Sequence, residues 1–335
     1  MSKPSKISTN VDFAAKGKQV GYLSAPHSRN DSGWGAARFP IACIANGTGP
    51  TVFFTGGNHG DEYEGPIALT RLIQAIDPAE VQGRVIVMPY LNAPAVGVGA
   101  RLSPIDGANM NRAFPGNRDG TVTPMIADYL FRHVIPLADA VCDIHSGGKT
   151  MYFSPFGAIH DLDDKALQAR AHAALVAFDP PVALILRELD AEGMLDTTVE
   201  GLGKIFVTTE LGGGGTTTRA TLAVAERGIR NLLKHFGVLQ GKPETRASLG
   251  LPPTRRMTMP DAAYVVSDDA GMLEMLVDVD DPVTQGQAIA RIYRVDNPGA
   301  APAIYKAGCD GVLLGRAHLC LVKPGDFLAM VAQDA

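Results

Sequence analysis

Thr51-Val52-Phe53-Phe54-Thr55-Gly56-Gly57-Asn58-His59-Gly60-Asp61-Glu62-Tyr63-Glu64-Gly65 is the stretch that decides the fold of this chain. Its first five residues form a nearly continuous apolar run, the pattern of a strand buried on both faces. Gly56 and Gly57 close that run. Beyond them Ile67, Leu69, Leu72, Ile73 and Ile76 recur at helical spacing. A buried strand that turns through glycines into a helix is the opening of an α/β unit.

The same alternation continues on the C-terminal side. Strands are predicted over residues 84–90, 140–144, 182–186 and 204–209, and helices over 123–135, 162–178 and 217–236. The fold class that follows is α/β, a mostly parallel or mixed sheet flanked by helices, with ligands expected beyond the carboxyl ends of the strands. From about Gly241 the character changes. Residues 241–260 are polar and rich in breakers, as expected of a linker after a catalytic domain spanning 1–240. Residues 261–335 carry short β-rich runs separated by turn signals such as Asp296-Asn297-Pro298-Gly299 and Pro324-Gly325-Asp326, and read as a smaller all-β domain. The turn Asp281-Pro282-Val283-Thr284-Gln285-Gly286-Gln287 resembles that of biotinyl and lipoyl carrier domains. Neither Lys306 nor Lys323 stands in a carrier's lysine hairpin, however, so a structural barrel is expected.

Bulk properties narrow the function classes. With 335 residues, 46% of them hydrophobic and 19% charged, the chain can bury a full-sized core. A formal net charge of -5 leaves no basic footprint for nucleic acid. No apolar run reaches the roughly 18 residues that span a bilayer, so no membrane partner is expected. The polar start Met1-Ser2-Lys3-Pro4-Ser5-Lys6 and the scattered Cys43, Cys142, Cys309 and Cys320, read as buried free thiols, point to the cytoplasm.

The chemistry gathers on the predicted sheet edge. His59 and Glu62 stand three apart on a turn entering a helix, where both side chains can converge on one point. Imidazole nitrogen and carboxylate oxygen are suitable zinc ligands, although a histidine and a glutamate at this spacing are common by chance. Asp143-Ile144-His145-Ser146-Gly147-Gly148 closes another buried strand and brings a second histidine to the same edge. His59, Glu62 and His145 supply three ligands, and a catalytic zinc leaves its fourth position to water. Asp143 or a backbone carbonyl could orient the His145 ring. Glu210 ends a further strand before four glycines. There it can take a proton from water and hand it to a leaving amine. Between the metal segments lie Arg101 and, in Asp106-Gly107-Ala108-Asn109-Met110-Asn111-Arg112, the pair Asn111 and Arg112. Arg112 offers a planar fork beside an amide, which suits a substrate carboxylate, and Arg101 could stabilise an oxyanion.

The ordered set GGNHGDE, Arg101, DGANMNR, DIHSGG and TTELGG resembles the succinylglutamate desuccinylase/aspartoacylase family, a branch of the zinc carboxypeptidase superfamily. The resemblance covers residues 50 to 215 by motif, and the small β domain also fits. It implies one zinc ion per chain on His59, Glu62 and His145, Glu210 as general base, Arg101 as carbonyl polariser, and Asn111 with Arg112 on the substrate carboxylate. It also implies a homo-oligomer, a dimer or higher. Within the family, HGDEYEGP and DGANMNRAFPG resemble the ectoine-catabolic deacetylases that act on Nα-acetyl-L-2,4-diaminobutyrate.

The expected activity is therefore zinc-dependent hydrolysis of the amide of an N-acetylated amino acid, releasing acetate and a free amine. An aspartoacylase or succinylglutamate desuccinylase is the alternative. It would want a further pocket cation, for which Arg187 and Arg219 are the candidates. A diamino acid would instead want a carboxylate, and Glu188, Asp190, Glu192 and Asp196 cluster just before the Glu210 strand. A non-catalytic small-molecule binding protein is the reading from another class. It predicts the loss of a metal ligand or of the base, yet all four residues are present.

Overall fold

In the computed structural model, which describes residues 4–187 and 193–335, the quoted stretch is the strand Thr51–Gly56, a glycine turn and the helix Glu64–Ala75. Side chains alternate across that strand. Val52 and Phe54 pack with Leu69, Leu72 and the helices Lys165–Phe178 and Arg219–His235, while Phe53 packs into the opposite layer. The neighbouring strands repeat the division: Val85 and Val87 against Ile86 and Met88, and Cys142 and Ile144 against Val141. Helices cover both faces, which is why these strands read as continuous apolar runs. Phe53 and Phe54 are wholly buried, and truncating either to alanine should cost about 3–5 kcal/mol.

Thr51–Gly56 lies between Gly83–Met88 and Ala140–His145, parallel to both, and Ile205–Glu210 extends the parallel set on the far side of Ala140–His145. In this register Glu210 stands directly beside His145, and Gly56 beside Ile144. The carboxyl ends of the strands thus meet at one edge, as expected. Antiparallel strands complete a mixed sheet. Ala36–Asn46 pairs with Gly83–Met88 and carries Gly17–Pro26 outside it, and Phe156–His160 pairs with Ile205–Glu210. The last of these is followed by Val182–Leu186, parallel to it.

The C-terminal region is all β. Gly271–Met275, Ala288–Tyr293, Ala303–Lys306 and Leu321–Val322 form a separate, smaller antiparallel sheet. Leu273, Ile289 and Ile292 from this sheet share a core with Leu313, Leu328 and Val331. Gly311–Ala317 and Phe327–Asp334 instead continue the large sheet. Within the breaker-rich residues 241–260, Arg255–Thr258 is a strand, parallel to Val182–Leu186 and antiparallel to Phe327–Asp334. Gly311–Ala317 also pairs with Met151–Phe153. A joint cluster of Phe153, Phe156, Leu184, Met257, Leu314 and Met330 seals this seam.

Two expectations change in detail. The helix expected over 123–135 ends at Tyr129 and passes through a widened π turn, Leu130–Val134, into a short 3₁₀ turn at Ile135–Leu137. Pro136 has no N–H with which to continue an α-helix. Cys43, Cys142 and Cys309 are buried free thiols, whereas Cys320 is exposed, lying in a bend just before Leu321–Val322. Among the described residues, no helix is long and apolar enough to cross a membrane.

Candidate active site

His59 and Glu62 sit on the turn between Thr51–Gly56 and Glu64–Ala75, and close packing fixes that turn. Gly57 has φ +64°, a left-handed conformation that glycine adopts without steric cost. At Gly65 a Cβ would lie 2.6 Å from the backbone oxygen of Ile144, so the helix can start this near the strand only on a glycine. His145 is the last residue of its own strand. The three side chains meet, with one ligand atom from each within 4.8 Å of the others, and all three residues are buried.

Both histidines turn the same nitrogen inward. His59 Nδ1 is 2.7 Å from Glu62 Oε1, and His145 Nδ1 is 2.8 Å from Glu62 Oε2. On their outer sides, His59 Nε2 lies 3.2 Å from Asn109 Oδ1 and His145 Nε2 lies 2.7 Å from Asp143 Oδ2. These oxygens are acceptors, so the network assigns each Nε2 as the N–H donor. A neutral ring then presents a bare Nδ1 lone pair to a carboxylate oxygen, acceptor against acceptor. Only a cation among the three side chains, or a proton on each ring, resolves that conflict. Two imidazoles and one carboxylate with their lone pairs converging are a donor set that fits a divalent metal of the zinc type.

The electrostatics agree. Burial by itself would raise the Glu62 carboxyl, but the two adjacent imidazoles outweigh it and hold the group well below the usual carboxylate range. Burial opposes charge on His145, yet Asp143 and Glu62 push its pKa well up. Asp143 is itself held down, against its burial, by His145, Asn58 and Thr55. Its Oδ1 accepts from Thr55 Oγ1 at 2.7 Å, and its Oδ2 accepts from Asn58 Nδ2 at 2.8 Å. Asp143, rather than a backbone carbonyl, therefore orients the His145 ring.

His59 and His145 share a cavity of about 340 Å³ with Arg101, Asn111, Arg112 and Glu210. Glu210 Oε2 is cut off from solvent and has no hydrogen-bond partner among the described residues. Burial, reinforced by the charge of Glu62, pushes the Glu210 carboxyl up to about 8. Arg101 Nη1 stands 3.7 Å from Glu62 Oε1, on a side chain 42% exposed that can still swing toward a substrate. Asn111 is buried and its Oδ1 accepts from Asn58 Nδ2 at 3.1 Å, while Arg112 is exposed at the cavity wall.

The remaining candidates separate. Asp196 lines the cavity. Glu188, Asp190 and Glu192 lie outside the described residues. Arg187 is 80% exposed with its Nε 3.7 Å from Asp161 Oδ2, Arg219 is exposed at its helix start, and neither lines the cavity. Sequence reasoning did not pick out His160, nor an apolar wall of Met151, Phe153, Phe156, Tyr264, Phe327 and Met330. Half of that wall comes from the C-terminal region, and no local motif announces a contact made across the sheet seam.

The comparisons with known proteins point one way. Residues 48–236 match the model of the succinylglutamate desuccinylase/aspartoacylase catalytic domain. An N-alpha-acetyl-L-2,4-diaminobutyric acid deacetylase of Halomonas elongata is 49% identical over 332 residues, 99% of this chain and 96% of that protein. The product-bound structure of the ectoine utilization protein EutE (DoeB) from Ruegeria pomeroyi superposes with a TM-score of 0.95 at 45% identity, covering 99% of this chain and 100% of that one. A crystal structure described as a succinylglutamate desuccinylase, from Silicibacter sp. TM1040, also gives a TM-score of 0.95, at 46% identity with both chains fully covered. The motif order, the converging ligand set and these full-length matches agree, and the chain belongs to the succinylglutamate desuccinylase/aspartoacylase family.

Proposed function

We propose that this chain is a zinc-dependent amidohydrolase that cleaves Nα-acetyl-L-2,4-diaminobutyrate to L-2,4-diaminobutyrate and acetate, as a step of ectoine degradation. The observation that carries the reading is the convergence of His59, Glu62 and His145 beside a cavity that also holds Glu210, a carboxylate with a buried oxygen that has no partner among the described residues. The name of the Halomonas elongata relative supports the substrate. His59, Glu62 and His145 would hold the ion, which when bound supplies a Lewis acid that polarises a carbonyl and acidifies water.

The chain's own groups do the rest. Glu210 accepts the proton of the attacking water at its carboxylate and returns it to the leaving nitrogen as the amide C–N bond breaks. Arg101 donates to the oxygen of the scissile carbonyl as negative charge builds there. Asn111 and Arg112 grip the α-carboxylate, fixing which amide faces Glu210. The apolar wall excludes bulk water and strengthens each of these interactions.

An acidic substrate such as acetylaspartate or succinylglutamate has less support, because Arg187 and Arg219 stand away from the cavity. The test is a panel of acetyl-diaminobutyrate, acetylaspartate and succinylglutamate on zinc-loaded protein, following acetate and succinate. Fastest acetate release from the first supports the proposal. Faster turnover of either acidic compound, or no turnover of any, overturns it.

A further inference from the structure

Asn58 lies on the glycine turn one residue before His59 and is 1% exposed. Its side chain stands between the metal cage and the carboxylate grip. Asn58 Nδ2 donates to Asp143 Oδ2 at 2.8 Å and to Asn111 Oδ1 at 3.1 Å. Asp143 Oδ2 also meets His145 Nε2 at 2.7 Å, and Asn111 Oδ1 also accepts from the backbone N–H of Leu195 at 3.3 Å. We propose that Asn58 is a positioning residue. It locks the Asn111 amide with Nδ2 toward the substrate carboxylate, and it ties that grip to Asp143 behind the metal ligand His145. This rests on the carboxylate grip by Asn111 proposed above.

Donor and acceptor chemistry fixes both amides. An ionised carboxylate only accepts, so the end of Asn58 that faces Asp143 is its NH2 group. A backbone N–H only donates, so the end of Asn111 that faces Leu195 is its oxygen. The two assignments agree where the side chains meet, with the NH2 group of Asn58 against the oxygen of Asn111. Two donors then fill both lone pairs of Asn111 Oδ1. Asn111 Nδ2 has no partner among the described residues and is the end left for the cavity that Asn111 lines. An NH2 group only donates, which suits a carboxylate, whereas the flipped amide would offer an oxygen and suit an ammonium. The orientation that Asn58 imposes therefore decides which end of an amino acid Asn111 can hold.

Packing does not account for an amide at this position. Asn58 Oδ1 is buried without a partner among the described residues. An isosteric leucine would avoid burying that oxygen, and what it would lose is the two N–H donors. The Asn111 backbone is fixed from the other histidine. Asn109 Oδ1 accepts the Asn111 N–H at 3.0 Å and lies 3.2 Å from His59 Nε2. The outer nitrogens of both metal histidines thus lead to Asn111, one through Asn109 and one through Asp143 and Asn58.

The test titrates L-2,4-diaminobutyrate and its α-carboxamide calorimetrically into zinc-saturated protein. The wild type should prefer the acid by about tenfold or more, the scale of hydrogen bonds to a charged group. Asn58→Leu and Asn111→Ala should each lower that preference by about fivefold to tenfold. The double variant should lower it no further than either alone, because one residue acts through the other, whereas independent structural damage would add. Asn58→Leu should also weaken zinc by about tenfold in competition with a chelator. Should Asn58→Leu fail to fold, Asn58→Asp, the same shape with acceptors in place of donors, carries the same expectations. An acid preference that survives both variants in folded protein, additive losses in the pair, or unchanged zinc affinity overturns the proposal. A wild type that binds acid and carboxamide equally sinks the Asn111 grip and the proposal with it. Acetate release is read separately: the expected losses without deacetylation of any substrate support the proposal and sink the reaction alone.

Discussion

The two walls of the cavity are built on different principles. On the α/β side, His59, Glu62, His145, Asp143, Asn58 and Thr55 are all buried and linked by polar contacts of 2.7–2.8 Å. On the other side, Tyr264, Phe327 and Met330 come from the C-terminal region and offer mainly apolar surface, with Tyr264 47% exposed. The first wall sits where strands held on both sides leave little freedom, which suits groups that must keep a fixed geometry. The second shapes the volume in front of them. Reactivity should therefore respond to changes in the first wall, and substrate fit to changes in the second.

The sharpest break comes from His145→Ala. Removing one of three ligands should empty the site and abolish turnover, as read by metal content after dialysis alongside acetate release. Full metal content in this variant would detach His145 from the ligand set. Glu210→Gln should lower kcat by about 10²–10⁴-fold while metal content stays stoichiometric. The same residue sets a pH limb. Glu210 must be ionised to take a proton, so kcat/KM should fall as pH drops through its pKa. That pKa is pushed up to about 8 by burial and Glu62, and a cation beside it favours the carboxylate and brings it down. The limb should accordingly appear between 4.5 and 8 and be absent from the residual activity of Glu210→Gln. A flat profile across that interval contradicts the assignment.

Asp143→Asn should be milder. The ring of His145 loses its charged partner, and metal affinity should fall by about 10–100-fold, measured by competition with a chelator. The smallest effect belongs to the opposite wall. Phe327→Ala should raise KM by about 3–10-fold through lost apolar contact, with kcat and metal content nearly unchanged. A large kcat loss there would erase the distinction between the walls.

The sequence displayed the first wall and hid most of the second. Three of the buried parallel strands, Thr51–Gly56, Ala140–His145 and Ile205–Glu210, lead into glycines beside a polar side chain, so His59, His145 and Glu210 could be assigned to one edge from the sequence. Asn111 and Arg112 were legible as polar residues in a loop without helical periodicity. Phe156–His160 was not. The strand is five residues long, contains Gly157 and carries no alternation, so nothing in the local pattern singled out His160. Gly17–Pro26 escaped for a related reason, since lysine, glutamine, serine and two glycines dilute a pattern in which every other residue faces solvent. Arg255–Thr258 buries only Met257, and its partners lie far away in the chain, so local composition marked it as a connector.

That short strand bears on how the molecule assembles. Arg255–Thr258 stitches Phe327–Asp334 onto Val182–Leu186. A polypeptide halted near residue 240 would leave Val182–Leu186 as an open edge, with Phe153, Phe156 and Leu184 stripped of their cover. The sheet that backs the reaction chamber is therefore finished by a strand about 140 residues further along the sequence than the edge it covers, so its two halves must be made and joined as one body.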